Sequence, residues 1–199
     1  MLKSKYSNYK FECGVDEAGR GCLAGPVTAA AVILKHEFKH KLINDSKKLN
    51  KISREKLSKI IKENSIAYSI EFINAKVIDE INILNASILA MHTCIKNLHV
   101  KPEFLIIDGN RFKKYKDIPH KTIIKGDGKY LNIASASILA KYARDTYMKK
   151  ISKRFPDYYW FKNKGYPTKQ HRKSIKEYGI TKYHRKSFKL FDDQLTIDF

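Results

Sequence analysis

Gly14-Val15-Asp16-Glu17-Ala18-Gly19-Arg20-Gly21-Cys22-Leu23-Ala24-Gly25-Pro26-Val27 sets two adjacent acids and an arginine between two apolar runs. A polar, tyrosine-rich start precedes the stretch, and Thr28-Ala-Ala-Ala-Val-Ile-Leu34 follows it. The pattern predicts a strand over Lys10 to Asp16 and a hairpin partner over Val27 to Leu34. That partner is almost wholly apolar and so is expected near the centre of the sheet. Four of the nine glycines fall in these fourteen positions, as backbone that turns sharply or lets something approach would require. In Gly19-Arg20-Gly21, bare amides beside a forked, permanently charged guanidinium suit an anion, and a phosphate is the natural one.

Working outward, Asn44-Asp-Ser-Lys-Lys-Leu49 reads as a polar turn before a helix from Ser53 to Glu63. Ser53 is its expected cap, with Leu57, Ile60 and Ile61 on one apolar face. A strand over Ile66 to Ile73 and a long helix over Ile83 to Leu98 follow. Phe104-Leu-Ile-Ile-Asp108 is a short apolar run stopping at an acid before glycine, the pattern of a buried parallel strand that delivers a carboxylate at its end. Lys121 to Lys125 repeats the pattern and runs into Gly126-Asp127-Gly128. A helix with small residues, through Ile133 to Lys141, comes next, with Arg144 and Asp145 expected to pair on it. Cys94 lies in an apolar helical pattern and is expected in the core.

Asp16, Glu17, Asp108 and Asp127 therefore fall at or beside strand ends. Brought together, they would raise one another's pKa unless a divalent cation sat among them. Hard oxygen ligands suit Mg²⁺ or Mn²⁺. Two such ions about 3.5 to 4 Å apart can activate water, stabilise a leaving oxygen and clamp a phosphate.

Composition agrees with a nucleic-acid substrate. Among 199 residues, 40 Lys+Arg against 20 Asp+Glu give a formal net charge of +20, in a chain that is 43% hydrophobic. Such an excess in a folded protein points to a polyanion, nucleic acid before an anionic membrane. No run reaches the roughly 18 apolar residues of a spanning helix. Met1-Leu-Lys-Ser-Lys lacks the core of a signal peptide, so a cytoplasmic protein is expected. Three scattered cysteines make neither a disulfide framework nor a zinc site. From Lys149 onward, cations (Lys149, Lys150, Lys153, Arg154, Lys169) interleave with rings (Tyr158-Tyr-Trp-Phe161, Tyr166), as suits a phosphate backbone. Trp160 and Phe161 are expected to pack inward. No linker separates this region, so one domain spans 1–199, with a C-terminal helical extension over about 149–190 and a tail over 191–199.

The run from Gly14 to Val27 closely resembles the N-terminal signature of the bacterial ribonuclease HII family, the type 2 ribonucleases H. Asp-Ser-Lys-Lys-Leu49, Asp108-Gly-Asn110, Lys-Gly-Asp127 and Ile-Ala-Ser-Ala-Ser-Ile-Leu-Ala-Lys141 are similar to its later motifs, in the family's order. The resemblance covers Gly14 to Phe188. It implies a ribonuclease H-like α/β fold, a mixed central sheet flanked by helices with C-terminal helices added. It also implies hydrolysis of RNA in RNA/DNA hybrids and incision of duplex DNA at embedded ribonucleotides, leaving 5′-phosphate and 3′-hydroxyl ends. It makes Asp16, Glu17, Asp108 and Asp127 catalytic and metal-binding. It places the substrate's 2′-hydroxyl among Gly19, Arg20, Gly21 and Tyr166, and raises Lys47 and Lys48 as substrate-facing. Cys22 stands where the family usually has proline, and Pro167 where glycine commonly follows the tyrosine. A junction resolvase-like nuclease on the same fold and a non-catalytic basic nucleic-acid binder are the rival readings.

Basic character stops at Gln194-Leu-Thr-Ile-Asp-Phe199. Extended, it puts Leu195, Ile197 and Phe199 on one side. It reads either as a packed or frayed terminus, or as a segment resembling the glutamine-led peptides that bind the bacterial DNA sliding clamp. A monomer is expected.

Overall fold

The computed structural model describes residues 2–43 and 50–191, so Lys47, Lys48 and the segment 194–199 lie outside the described residues. Five strands form one mixed sheet: β1 (Glu12–Ala18), β2 (Val27–Leu34), β3 (Ser65–Ile73), β4 (Phe104–Asp108) and β5 (His120–Ile123), in the order β3-β2-β1-β4-β5. The first two strands make the expected hairpin, with Asp16 opposite Ala30. β1 also runs parallel to β4, Val15 beside Ile107. β2 lies inside the sheet between β3 and β1, as its apolar run predicts, and the strand at the exact middle is β1. Its polar residues cluster at its ends, which is why its central place is hard to read from hydrophobicity.

Alternation along the strands builds a layer on each face. Cys13, Val15, Ala29, Ala31, Ile33, Leu105 and Ile107 point to one side, against Ala90, Met91, Cys94 and Ile95 of α2 (Ala75–Lys96). Ala30 and Val32 point to the other, against Leu57 and Ile61 of α1 (Lys51–Glu63) and Leu131, Ala134 and Ile138 of α3 (Leu131–Ser152). Each such Leu or Ile contributes about 1.5 to 3 kcal/mol relative to leaving it exposed. α3 approaches β1 so closely that a Cβ on Gly14 would fall inside the backbone of Asn132 and Ile133.

Helix starts differ from expectation for local reasons. Asn50, not Ser53, caps α1, its side chain accepting from Ser53 N at 2.8 Å. An asparagine three residues upstream is as good an acceptor as the serine, which is left inside the first turn. α2 begins at Ala75 under the Asn74 cap and breaks at Asn82 (φ 63°, ψ 165°). It restarts there with Asn82 as a second cap, accepting from Asn85 N at 3.1 Å. The expected helix at Ile83 is therefore the second half of a longer one.

Beyond α3 come a single helical turn, α4 (Trp160–Asn163), and α5 (Lys169–Tyr178). Tyr158, Trp160, Ile175 and Leu190 pack with Leu23, Ala24, Met148 and Ile151. Backbone bonds join this segment to the glycine-rich stretch: Leu23 N to Gly165 O at 2.8 Å, Gly25 N to Tyr183 O at 2.9 Å and Arg185 N to Leu23 O at 2.8 Å. Trp160 is fully buried, but Phe161 is 55% exposed, against the expectation that both pack inward. Among the described residues, no helix is long and apolar enough to cross a membrane.

Candidate active site

The parallel register of β1 and β4 brings the first two acids together. Val15 lies beside Ile107, and the next residue on each strand is Asp16 or Asp108, both on the α3 face. Adjacent strands sit about 4.8 Å apart. Glu17 follows on β1. Asp127 arrives on the short 3₁₀ turn Gly126–Gly128, entered through Lys125 at φ 55°. That turn is anchored by the site itself, since Gly126 N donates to Asp108 Oδ1 at 2.7 Å. All four carboxylates, with Gly19, Arg20, Gly21, Ser137, Lys141 and Tyr166, line one cavity of about 340 Å³.

Asp16 is 5% exposed and Asp127 7%. Burial, then the charges of Glu17 and Asp108, hold the Asp16 carboxyl well above the usual carboxylate range. The Ser137 hydroxyl and the Glu17 amide, 2.7 Å from Asp16 Oδ1, only partly offset this. Burial also raises Glu17, against the pull of Arg20, whose Nη1 is 3.1 Å from Glu17 Oε1. Glu17 Oε2 is buried without a hydrogen-bond partner. Among the described residues, no three His, Cys, Asp or Glu side chains close into a ready-made cation cage, so the carboxylates surround an open cavity. An all-oxygen set, in which Asp16 and Glu17 hold protons more tightly than usual and one buried oxygen is unpartnered, fits a hard divalent cation.

The turn beside the acids is held from behind. Gly19 sits at φ +88°, and a Cβ there would strike the Arg144 guanidinium. Arg185, fully buried, donates through Nη2 to Gly19 O (2.7 Å) and Gly25 O (2.9 Å), through Nη1 to Arg20 O (2.7 Å) and through Nε to Gly25 O (3.1 Å). These bonds fix the carbonyls of a turn whose residues Gly19, Arg20 and Gly21 line the cavity. Burial pushes the Arg185 pKa down to about 10, so it stays charged at neutral pH. Arg144 does the same for the next segment, donating to Ala24 O (3.1 Å), Pro26 O (2.9 Å) and Lys164 O (2.9 Å). The expected Arg144–Asp145 pair is therefore not formed. Neighbours on a helix point about 100° apart, and Asp145 turns to Arg54 at 3.4 Å instead.

Tyr166, 41% exposed, reaches the cavity with Pro167 behind it. The Arg144 guanidinium carbon lies 5.9 Å from its ring centre. Burial, then the adjacent Cys22, raise the pKa of its hydroxyl. Lys149, Lys150, Lys153, Arg154 and Lys169 are exposed.

Ser137, Lys141, Arg144 and Arg185 are site residues that sequence reasoning did not single out in these roles. The first three had a signal. Ser137, Lys141, Arg144 and Met148 recur at helical spacing, one face of α3 turned towards the glycine-rich stretch.

A family model described as Ribonuclease HII matches residues 13–191. A ribonuclease HII of Christiangramia forsetii is 64% identical over 186 residues, covering 94% of each chain. Among solved structures, the ribonuclease H2 of Pyrococcus horikoshii superposes with a TM-score of 0.78 at 23% identity, covering 90% of this chain and 94% of that one. The ribonuclease HII of Archaeoglobus fulgidus, solved in complex with PCNA, gives 0.77 at 26% identity, covering 93% and 98%.

Proposed function

Because the chain belongs to the ribonuclease HII family, we propose that Asp16, Glu17, Asp108 and Asp127 hold its divalent ions and that hydrolysis takes place in the cavity they line. The protein is a metal-dependent ribonuclease H endonuclease on a ribonuclease H-like fold. It cuts the RNA strand of RNA/DNA hybrids and incises duplex DNA at embedded ribonucleotides, leaving 5′-phosphate and 3′-hydroxyl ends. Family membership displaces the resolvase-like and non-catalytic readings. The observation that carries the site assignment is the convergence of four carboxylates, two of them with raised pKa and one with an unpartnered oxygen, beside an arginine-bearing glycine turn.

Mg²⁺ or Mn²⁺, when bound, would activate the attacking water and stabilise the leaving oxygen. Asp16 and Asp108, at the ends of neighbouring parallel strands, would hold the ion together with Asp127, and the buried, unpartnered Glu17 Oε2 is the oxygen it would satisfy. The Ser137 hydroxyl keeps Asp16 oriented. The Gly19-Arg20-Gly21 turn and Tyr166 read the ribose, whose 2′-hydroxyl separates RNA from DNA, and Lys141 sits where a phosphate would enter. Lys47 and Lys48 are proposed to meet the same substrate. The exposed cations from Lys149 to Lys169 track the duplex backbone without reading sequence. One domain, active as a cytoplasmic monomer, is the arrangement we propose, with the C-terminal segment as part of the site's scaffold. The tail Gln194-Phe199 is proposed to bind a sliding clamp, which the PCNA complex of the Archaeoglobus relative supports.

The test compares duplex DNA carrying one ribonucleotide with the same duplex in all-DNA form, for the wild type and Asp16→Asn. Cleavage at the ribonucleotide, requiring Mg²⁺ or Mn²⁺ and lost in folded Asp16→Asn, is expected. Undiminished cleavage by Asp16→Asn would sink the assignment.

A further inference from the structure

Behind Tyr166 lies a group of buried rings that none of the roles above uses. Trp160 and His171 are 0% exposed and His184 is 2%. Trp160 Nε1 donates to His171 Nε2 at 2.9 Å, and His184 Nε2 lies 3.3 Å from the same nitrogen. On its other side, His171 Nδ1 is 2.9 Å from the Tyr166 carbonyl oxygen.

The tautomers follow from these neighbours. An indole N–H can only donate, so His171 Nε2 must be the bare, accepting nitrogen. Its proton is then on Nδ1, and Nδ1–H donates to Tyr166 O. His184 Nδ1 receives the Thr181 backbone N–H at 2.9 Å, so His184 carries its proton on Nε2 and adds a second donor to His171 Nε2. A second proton on either ring would set donor against donor. Burial lowers the pKa of both, that of His184 to about 4, so the pair is neutral at working pH.

We propose that His171 is a positioning residue for ribonucleotide recognition: as the Nδ1–H tautomer it holds the Tyr166 carbonyl, and so keeps Tyr166 in the wall of the cavity shared with Gly19-Arg20-Gly21. The rest of that loop bonds the Tyr166 carbonyl once and leaves its second lone pair to His171. Tyr166 N donates to Asn163 O at 2.9 Å and Thr168 N to Tyr166 O at 2.8 Å, both within the loop itself. His171 contributes the bond from α5, and Trp160 and His184 keep its proton on the nitrogen that faces Tyr166.

This inference rests on the reading of Tyr166 as a ribose-contacting residue, and the experiment separates the two. Cleavage of duplex DNA with one ribonucleotide is measured with Mg²⁺ for His171→Gln, His171→Asn, Tyr166→Ala and the double variant His171→Gln/Tyr166→Ala. Duplex affinity is measured in parallel. An asparagine amide stands near Nδ1 and keeps the donor, whereas a glutamine amide stands near Nε2 and loses it. His171→Gln should lower turnover roughly fivefold, the loss of about one hydrogen bond, with affinity unchanged. His171→Asn should restore most of it. In the Tyr166→Ala background, His171→Gln should change nothing further.

Additive losses, or normal turnover in His171→Gln while Tyr166→Ala is impaired, overturn the positioning role alone. Normal turnover in Tyr166→Ala removes the ribose reading beneath it. Imidazole ¹⁵N spectra of the wild-type protein supply a readout that needs no variant to fold: a proton on His171 Nδ1 is expected, and one on Nε2 overturns the proposal.

Discussion

Arg185→Ala should be among the most costly single truncations in this chain, and its size follows from the bonds around the guanidinium. The side chain is fully buried and is the donor to the carbonyls of Gly19, Arg20 and Gly25. A buried carbonyl stripped of its donor costs about 1 to 3 kcal/mol. Relief from burying a cation offsets part of this, since desolvating a charge is itself unfavourable. A net loss of about 3 to 5 kcal/mol remains, a large part of the 5 to 15 kcal/mol by which domains are stable. For a chain of this length it should lower the melting temperature by roughly 10 °C. Arg185→Lys keeps the charge but replaces a planar fork with a single ammonium, and should lose about half as much. Urea unfolding of both variants reads the stability. Cleavage at a single ribonucleotide by folded Arg185→Lys reads the turn, and should fall while Mg²⁺ or Mn²⁺ affinity holds. A loss below about 1 kcal/mol in Arg185→Ala would mean that water replaces the guanidinium at no cost, and that the turn does not depend on it.

Gly14→Ala places a methyl group in the backbone of Asn132 and Ile133, which no rotamer change can relieve. It should cost about 3 kcal/mol and disable cleavage by moving α3 off β1; a normal urea midpoint would contradict that packing. For Asp16, the folded-state pKa lies above its ordinary value of 3.8, so the folded chain keeps a proton that the unfolded chain releases. Without metal, stability should therefore fall as pH rises from 3.8 through the raised value. Asp16→Asn should melt higher than the wild type in chelator, with a gap that widens with pH, and should show less of the rise in melting temperature expected of the wild type on adding Mn²⁺. Equal melting in chelator would show that the carboxylates do not strain one another. Deleting residues 194 to 199 should abolish binding to a sliding clamp, measured by surface plasmon resonance, and leave cleavage of short duplexes unchanged; retained clamp binding would refute the role of the tail.

The parts of the site legible in the sequence are those written in local pattern. An apolar run that stops at an acid placed Asp108 at the end of β4, and the β1–β2 hairpin was plain from its flanks. Asp127 was placed beside the end of a strand over Lys121 to Lys125; β5 stops at Ile123 and a 3₁₀ turn delivers the acid. Contacts that span the chain were not legible. Arg185 meets Gly19 across 166 positions and Arg144 meets Ala24 across 120. A buried arginine that caps carbonyls looks, in sequence, like any surface arginine. The first half of α2 was hidden by Asn82, which breaks the periodicity at the point where the helix restarts.

Because Leu23, Ala24 and Gly25 are bonded to Gly165, Tyr183 and Arg185, the turn beside Asp16 and Glu17 depends on residues translated long after them. Synthesis is vectorial, at about 5 to 20 residues per second. Asp16 and Glu17 therefore exist for some seconds before the segment that braces the turn beside them. A growing chain carries Asp16 and Glu17 early but not the braces of the turn beside them, so the cavity they line takes its final shape only after residues 165–185 have been added.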